Sequence, residues 1–218
     1  MYKRQDLNTY KKDEVVRLKV IVHVGPKGFQ KVGHICFAYD DIVYSYGNYD
    51  SDSFHLNQTI GDGIFFTVPL EKYIPNMISA ENNSIFEYGI YTTSKQNEMI
   101  EKEIEKIRQN GYRWYTKIEK EDGYDRFSEY EMDYPSRLHY RTGAKLYKVK
   151  SGKFHIYWAL GDNCASFTDL VLGTLGADVL SIRGIISPGT YLDWLQKEYL
   201  KKNSPIVFRR IYKEWDSK

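Results

Sequence analysis

The stretch Tyr157-Trp158-Ala159-Leu160-Gly161-Asp162-Asn163-Cys164-Ala165-Ser166-Phe167-Thr168 changes character half-way along. Its aromatic, apolar first part reads as a strand or buried approach, Gly161-Asp162-Asn163 as a turn carrying a helix cap, and the residues from Cys164 onward as an amphipathic helix. A cysteine on the first turn of a helix lies among unpaired backbone N–H groups at the positive end of the macrodipole. That setting favours thiolate over thiol. The alternative is a small buried hydrophobe, the usual fate of a free cysteine. Position alone leaves both open.

Behind Cys164, the residues Phe167, Leu170, Val171 and Leu175 recur at helical spacing and Gly176 is the expected stop. In front of it, residues 145–149 and 154–160, joined by Lys150-Ser151-Gly152-Lys153, read as a hairpin that delivers the chain to the cysteine. Further upstream, residues 15–24 are rich in β-branched side chains and read as a strand of the central sheet, turned by Gly25-Pro26-Lys27-Gly28 after a polar leader. A second strand covers 32–39, Asp40-Asp41 makes a tight turn, and a third strand covers 42–47. Period-two alternation puts His34, Cys36 and Ala38 on one face and Ile35, Phe37 and Tyr39 on the other.

The remaining elements follow the same rules. Residues 63–68 and 84–91 read as strands, 71–78 as a short helix and 206–212 as a closing strand. The clearest helix is 94–109, with Thr93 and Gln96 spaced as a capping box and Asn110-Gly111 as its stop. Ser187-Pro188 opens a last helix, serine capping and proline taking the first turn. Between 112 and 142 charges and aromatics alternate without a period. That segment reads as an insertion or lid, with a short helix near 126–131, inside one domain spanning 1–218.

Composition narrows the function classes. With 31 Lys and Arg against 29 Asp and Glu, interleaved, the charge pattern argues against a nucleic-acid partner. No apolar run reaches the length of a membrane span, so no stable membrane insertion is expected, and the charged N-terminus has no hydrophobic region behind it. The expected setting is the cytoplasm, or secretion without a cleavable signal. Two cysteines do not make a disulfide framework. Cys36 shares a face with His34, which leaves open a bridge to Cys164 on oxidation or a place as a small core residue beneath the helix. The 20 tyrosines suit either a thin packed sheet or a cleft for a peptide or glycan. No cofactor or metal is called for.

Of the five histidines, His34 stands out as a base for Cys164 because it follows Gly33, which permits close backbone approach, at the start of an apolar strand. A thiol hydrolase needs an imidazole to take the thiol proton and a third polar group to hold the ring. The sulfur and a ring nitrogen should then lie within about 4 Å, and separation on opposite faces of the sheet would exclude the pair.

Gly33-His34-Ile35-Cys36-Phe37-Ala38-Tyr39 with Asp41, then Tyr44-Ser45-Tyr46-Gly47-Asn48-Tyr49-Asp50, then Gly161-Asp162-Asn163-Cys164 at a helix start, resembles the permuted papain-like cysteine hydrolases. That group includes the lecithin retinol acyltransferase-like proteins and permuted relatives of the NlpC peptidases. The Tyr-x-Tyr-Gly-x-Tyr-Asp run, Gly61 before Phe65 and Phe66, the Thr92-Thr93-x-x-Gln96 helix start and Asp-Asn-Cys are similar to the bacterial Lnb N-terminal periplasmic domain family. The resemblance implies an α+β, circularly permuted papain-like fold, an antiparallel sheet packed on the helix that carries Cys164. It implies Cys164 as nucleophile and His34 as general base. The third residue is expected from the strand after the histidine: spacing favours Tyr46, while Ser45, Asn48 and Asp50 stay open. The Cys164 N–H, with Asn163 as helper or plain cap, would form the oxyanion site. The expected activity is an amidase or peptidase, with peptidoglycan peptides among the substrates considered. Acyl transfer or thioester hydrolysis on lipid or protein, and a non-catalytic ligand-binding domain on the same fold, are the alternatives. Its partners would be a peptide, glycopeptide or acyl substrate, with an immunity protein if the chain is a toxin.

Overall fold

The structure is a computed structural model describing residues 2–6, 16–24, 33–79, 81, 84–121, 123–124, 128–129, 131–175 and 187–214. The expected turn at 25–28 and the stop at Gly176 lie outside these residues, as do positions 126, 127 and 130 of the helix expected near 126–131.

Nine strands form one sheet in the order β1 (Tyr2–Asp6), β11 (Ile206–Glu214), β7 (Ser84–Ile90), β2 (Leu18–Val24), β3 (His34–Tyr39), β4 (Ile42–Gly47), β6 (Ile64–Pro69), β9 (Lys145–Val149), β8 (Gly111–Trp114). Every neighbouring pair is antiparallel. The fold is therefore α+β with an antiparallel sheet. Three expectations change. The polar leader contains an edge strand. The region 112–142 contributes sheet edge β8 and helix α4 (Tyr134–Thr142), where Pro135 sits in the first turn behind the Asp133 cap instead of interrupting. The expected hairpin before Cys164 does not form: β9 pairs with β6 and β8, while β10 (Ile156–Trp158) pairs with β5 (Ile60–Asp62) in a separate ribbon.

Strand alternation sorts the apolar side chains into two cores. Ile35, Phe37 and Tyr39 face the layer of α2 (Ser94–Gln109), α5 (Cys164–Leu172) and α6 (Pro188–Tyr199). Cys36 and Ala38 face α1 (Leu70–Ser79) and α4. Cys36 is thus not beneath the cysteine helix; its thiol reaches the Tyr73 hydroxyl at 3.8 Å, and both cysteines are free. Helix α5 is held down by Phe167, whose ring lies 4.9 Å from Tyr46, 5.4 Å from Phe154 and 6.1 Å from Phe65 between centroids. Each such aromatic pair adds about 0.5–1.5 kcal/mol beyond burial. One turn before this anchor stands Cys164, so the packing of Phe167 sets the height of the cysteine above the sheet.

Candidate active site

The cap forms as read. Asn163 Oδ1 accepts from the N–H groups of Ala165 and Ser166, the Ser166 hydroxyl accepts from Asn163 N–H, and Asn163 Nδ2 donates to Ala159 carbonyl oxygen at 3.0 Å. Both ends of the amide are engaged, which suits a cap and not an oxyanion helper.

The register of the sheet explains where the Cys164 sulfur goes. Asp40 N–H donates to Arg17 carbonyl oxygen, so even-numbered residues of β3 direct their backbone groups toward β2 and odd-numbered ones toward β4. The β3–β4 pairing ends at Phe37↔Tyr44; continued, it would set Ile35 against Tyr46. Instead the pairing stops there, and the N–H groups of Ile35, Ala165 and Cys164 itself lie near enough to the Cys164 sulfur to favour its ionised form. The sulfur therefore lies by the backbone of the residue that follows His34, where β3 and β4 form a seam without pairing.

His34 stands on the α1 face of β3, with Cys36 and Ala38. Its Nε2 lies 2.7 Å from Ser45 Oγ, and its ring packs edge-on against His23 with centroids 5.5 Å apart. Gly33 is required just before it, at φ +70°, because a Cβ there would stand 2.2 Å from the His23 carbonyl oxygen. Among the described residues no hydrogen bond joins His34 to the Cys164 sulfur, and Nδ1 has no protein partner.

The third-residue expectation is corrected by the same register. Tyr46 faces α5, is fully buried, and donates its hydroxyl to Phe154 carbonyl oxygen at 3.0 Å. The hydroxyl on His34 belongs to Ser45. Asp50 accepts from Asp52 N–H and from Lys148 Nζ, and Asn48 donates to Gln58 carbonyl oxygen; neither reaches the imidazole. Tyr46 instead braces a crowded corner where Phe154 adopts φ +70° and Gly63 passes beneath. A Cβ on Gly63 would lie 1.9 Å from the Phe154 oxygen. Gly63→Ala is expected to destabilise the protein by about 1–3 kcal/mol in urea unfolding, with the loss confined to stability if Tyr46 has no chemical role.

Electrostatics also amend the expectation of a resting thiolate. Burial pushes the Cys164 thiol up to about 11, against the opposing pull of the three N–H groups. Burial lowers His34 to about 4. At neutral pH the resting groups are a thiol and a neutral imidazole. Of the other histidines, His139 and His155 place Nδ1 on the carbonyl oxygens of Ala144 and Val149, and His55 is paired with Ile60 through its backbone alone.

Two cavities, of about 460 Å³ and 270 Å³, lie away from this seam: the first against α1 beside Lys19 and Glu87, the second between α2, α5 and Phe154. Among the described residues no three His, Cys, Asp or Glu side chains are grouped to hold a metal ion, and no helix is long and apolar enough to cross a membrane. Comparison with protein-family models, curated proteins and solved structures gave no match.

Proposed function

We propose that this protein is a cysteine hydrolase acting on an amide bond, with Cys164 as nucleophile, His34 as general base and acid, and Ser45 as the group that holds the imidazole. The observation that carries the reading is the end of the β3–β4 pairing at Phe37, with the Cys164 sulfur near the Ile35 N–H while His34, one residue before, binds Ser45 through Nε2. That leaves Nδ1 for the reacting groups. Alternation sets His34 on the α1 face and Cys164 on the α5 face, so their pairing requires the imidazole to reach through the gap between β3 and β4; the permuted papain-like resemblance of the surrounding motifs supports it.

In the reaction, the thiol proton passes to His34 Nδ1 as the sulfur attacks the carbonyl carbon. The oxyanion forms at the first turn of α5, where the Cys164 N–H and the helix dipole stabilise it. Collapse breaks the C–N bond, the imidazolium proton leaves with the amine, and water, deprotonated by His34, hydrolyses the thioester.

A generic acyl donor tests this without knowledge of the substrate. Incubation with p-nitrophenyl acetate is expected to leave a transient acetyl group on Cys164, seen by intact-mass and peptide mapping, and none in Cys164→Ala. Cys36 should stay unmodified, since burial raises its thiol far above the ordinary range. An acetyl group on neither cysteine, or equally on both, would sink the proposal. Turnover of peptidoglycan fragments, acyl esters and peptide amides by the same preparation then identifies the bond.

A further inference from the structure

The Ser45 hydroxyl touches a second side chain: Tyr49 Oη lies 3.2 Å from Ser45 Oγ. The Tyr49 ring folds back over its own strand, which Gly47 permits, since a Cβ there would come within 2.9 Å of Tyr49 Cζ. The ring is stacked on Tyr134 of α4, with centroids 5.8 Å apart and planes 26° apart, and packs against Phe66 at 5.4 Å. Sequence reading assigned no role to Tyr49 beyond the motif, and the mechanism above does not use it.

The direction of these hydrogen bonds follows from elementary acid–base chemistry. A phenol is a stronger donor and weaker acceptor than an alcohol, so Tyr49 donates to Ser45. Among the described residues Ser45 Oγ is the one partner of the Tyr49 hydroxyl, and burial keeps that phenol protonated. Ser45, itself fully buried, must then place its own proton, and the acceptor within reach is His34 Nε2 at 2.7 Å. The chain Tyr49 O–H to Ser45 O–H to His34 Nε2 gives both hydroxyl protons an acceptor and leaves the Nδ1–H to solvent. The reverse, with His34 Nε2–H donating to Ser45 and the Ser45 hydroxyl to Tyr49 Oη, leaves the Tyr49 phenol proton without an acceptor among the described residues.

We infer that Tyr49 is a positioning residue that holds resting His34 as the Nδ1–H tautomer, a latch on the site proposed above. In this tautomer Nδ1 cannot take the Cys164 proton. Release requires Ser45 to turn so that its oxygen accepts from Nε2–H, the imidazole exchanging its proton with water at its part-exposed edge. Because Tyr134 stacks on Tyr49, helix α4 and the segment that carries it hold the latch in place.

The inference rests on the cysteine-hydrolase reading for its purpose but not for its test. Long-range ¹H–¹⁵N spectra of the imidazoles at neutral pH are expected to show His34 as Nδ1–H in the wild type, with Nε2 as the unprotonated nitrogen. In Tyr49→Phe, which keeps the ring and its stacking, Ser45 is free to accept, and the Nε2–H form should gain about tenfold in population. Acetylation of Cys164 should rise in parallel. A wild-type Nε2–H tautomer, or a Tyr49→Phe spectrum unchanged from wild type, would overturn the latch. If both spectra come out as expected while Cys164 fails to acetylate in either protein, the latch stands and the hydrolase reading falls.

Discussion

His34→Ala is expected to slow acetylation of Cys164 by p-nitrophenyl acetate about 10²–10⁴-fold at pH 7.5, the range contributed by a positioned general base. The reason lies in the resting state. A thiol raised to about 11 by burial offers little thiolate at this pH, so its reactivity depends on removal of the proton as the sulfur attacks. Ser45→Ala should cost about tenfold, because the imidazole keeps its place in the packing but loses its 2.7 Å partner. Tyr46→Phe should leave the rate within about threefold while lowering stability by about 1 kcal/mol, as its hydroxyl serves Phe154 and not the imidazole. The order His34, Ser45, Tyr46 is the informative result. Equal rates for wild type and His34→Ala would remove His34 from the chemistry, and a Tyr46 effect exceeding that of Ser45 would reverse the assignment of the third residue.

Acid is expected to weaken the fold well above the range in which carboxylates titrate. His34 is lowered to about 4, and His23, 2% exposed, lies well below its ordinary value because of burial and, secondarily, the nearby His34. A base depressed in the folded state binds its proton more readily in the unfolded chain. Stability is therefore full above the unfolded value of 6.5 and falls as the pH drops below it, for His34 down to about 4. Between pH 7.5 and 5 each histidine should remove up to about 2 kcal/mol. The part-exposed His34 ring contributes less than its shift implies. A combined loss of about 2–4 kcal/mol in urea unfolding is expected. His23→Leu should flatten this dependence while lowering stability at pH 7.5, since the 3.2 Å contact between His23 Nε2 and the Tyr73 hydroxyl is lost. Stability unchanged from pH 7.5 to 5 would show that neither ring is held neutral by the fold.

The two experiments probe one structural fact. His34 and His23 are neighbours across β2 and β3, and the crowding that makes the fold sensitive to acid also keeps His34 neutral and able to accept a proton. Protonation of His34 is common to both losses: stability falls from about pH 6.5 downward, whereas base capacity in the folded protein is lost near 4. The tautomer of His34 adds a third variable that neither measurement reads directly.

Much of the fold was legible from local patterns. Helix α2 runs over the residues its capping box and Asn110 predicted, because both signals are side-chain hydrogen bonds made within the helix itself. The Asn163 cap and the start of α5 at Cys164 were legible for the same reason. Strand β1 was not, since a short polar edge strand acquires its partner only when β11 arrives. The β9–β10 hairpin failed because a turn between two strand-like runs does not specify which neighbours those runs will choose: β9 found a place between β6 and β8, and β10 a place beside β5. The choice of Ser45 over Tyr46 had a signal in the chain. The two-residue turn at Asp40-Asp41, with φ of +47° and +60°, pins Tyr39 opposite Ile42 and so puts Ser45 on the face of His34.

What the sequence by itself determined is the set of parts: a capped helix beginning at a cysteine, a Gly-His strand, and a hairpin partner offering a hydroxyl on the histidine's face. These are properties of neighbours along the chain, where caps, turns and period-two alternation act. Only the tertiary structure decided that the β3–β4 pairing stops beyond Phe37, that the Cys164 sulfur lies near the Ile35 N–H, and that burial outweighs the helix dipole and leaves the thiol protonated. Desolvation and strand separation depend on what packs around a residue from distant parts of the chain, and no local pattern carries that.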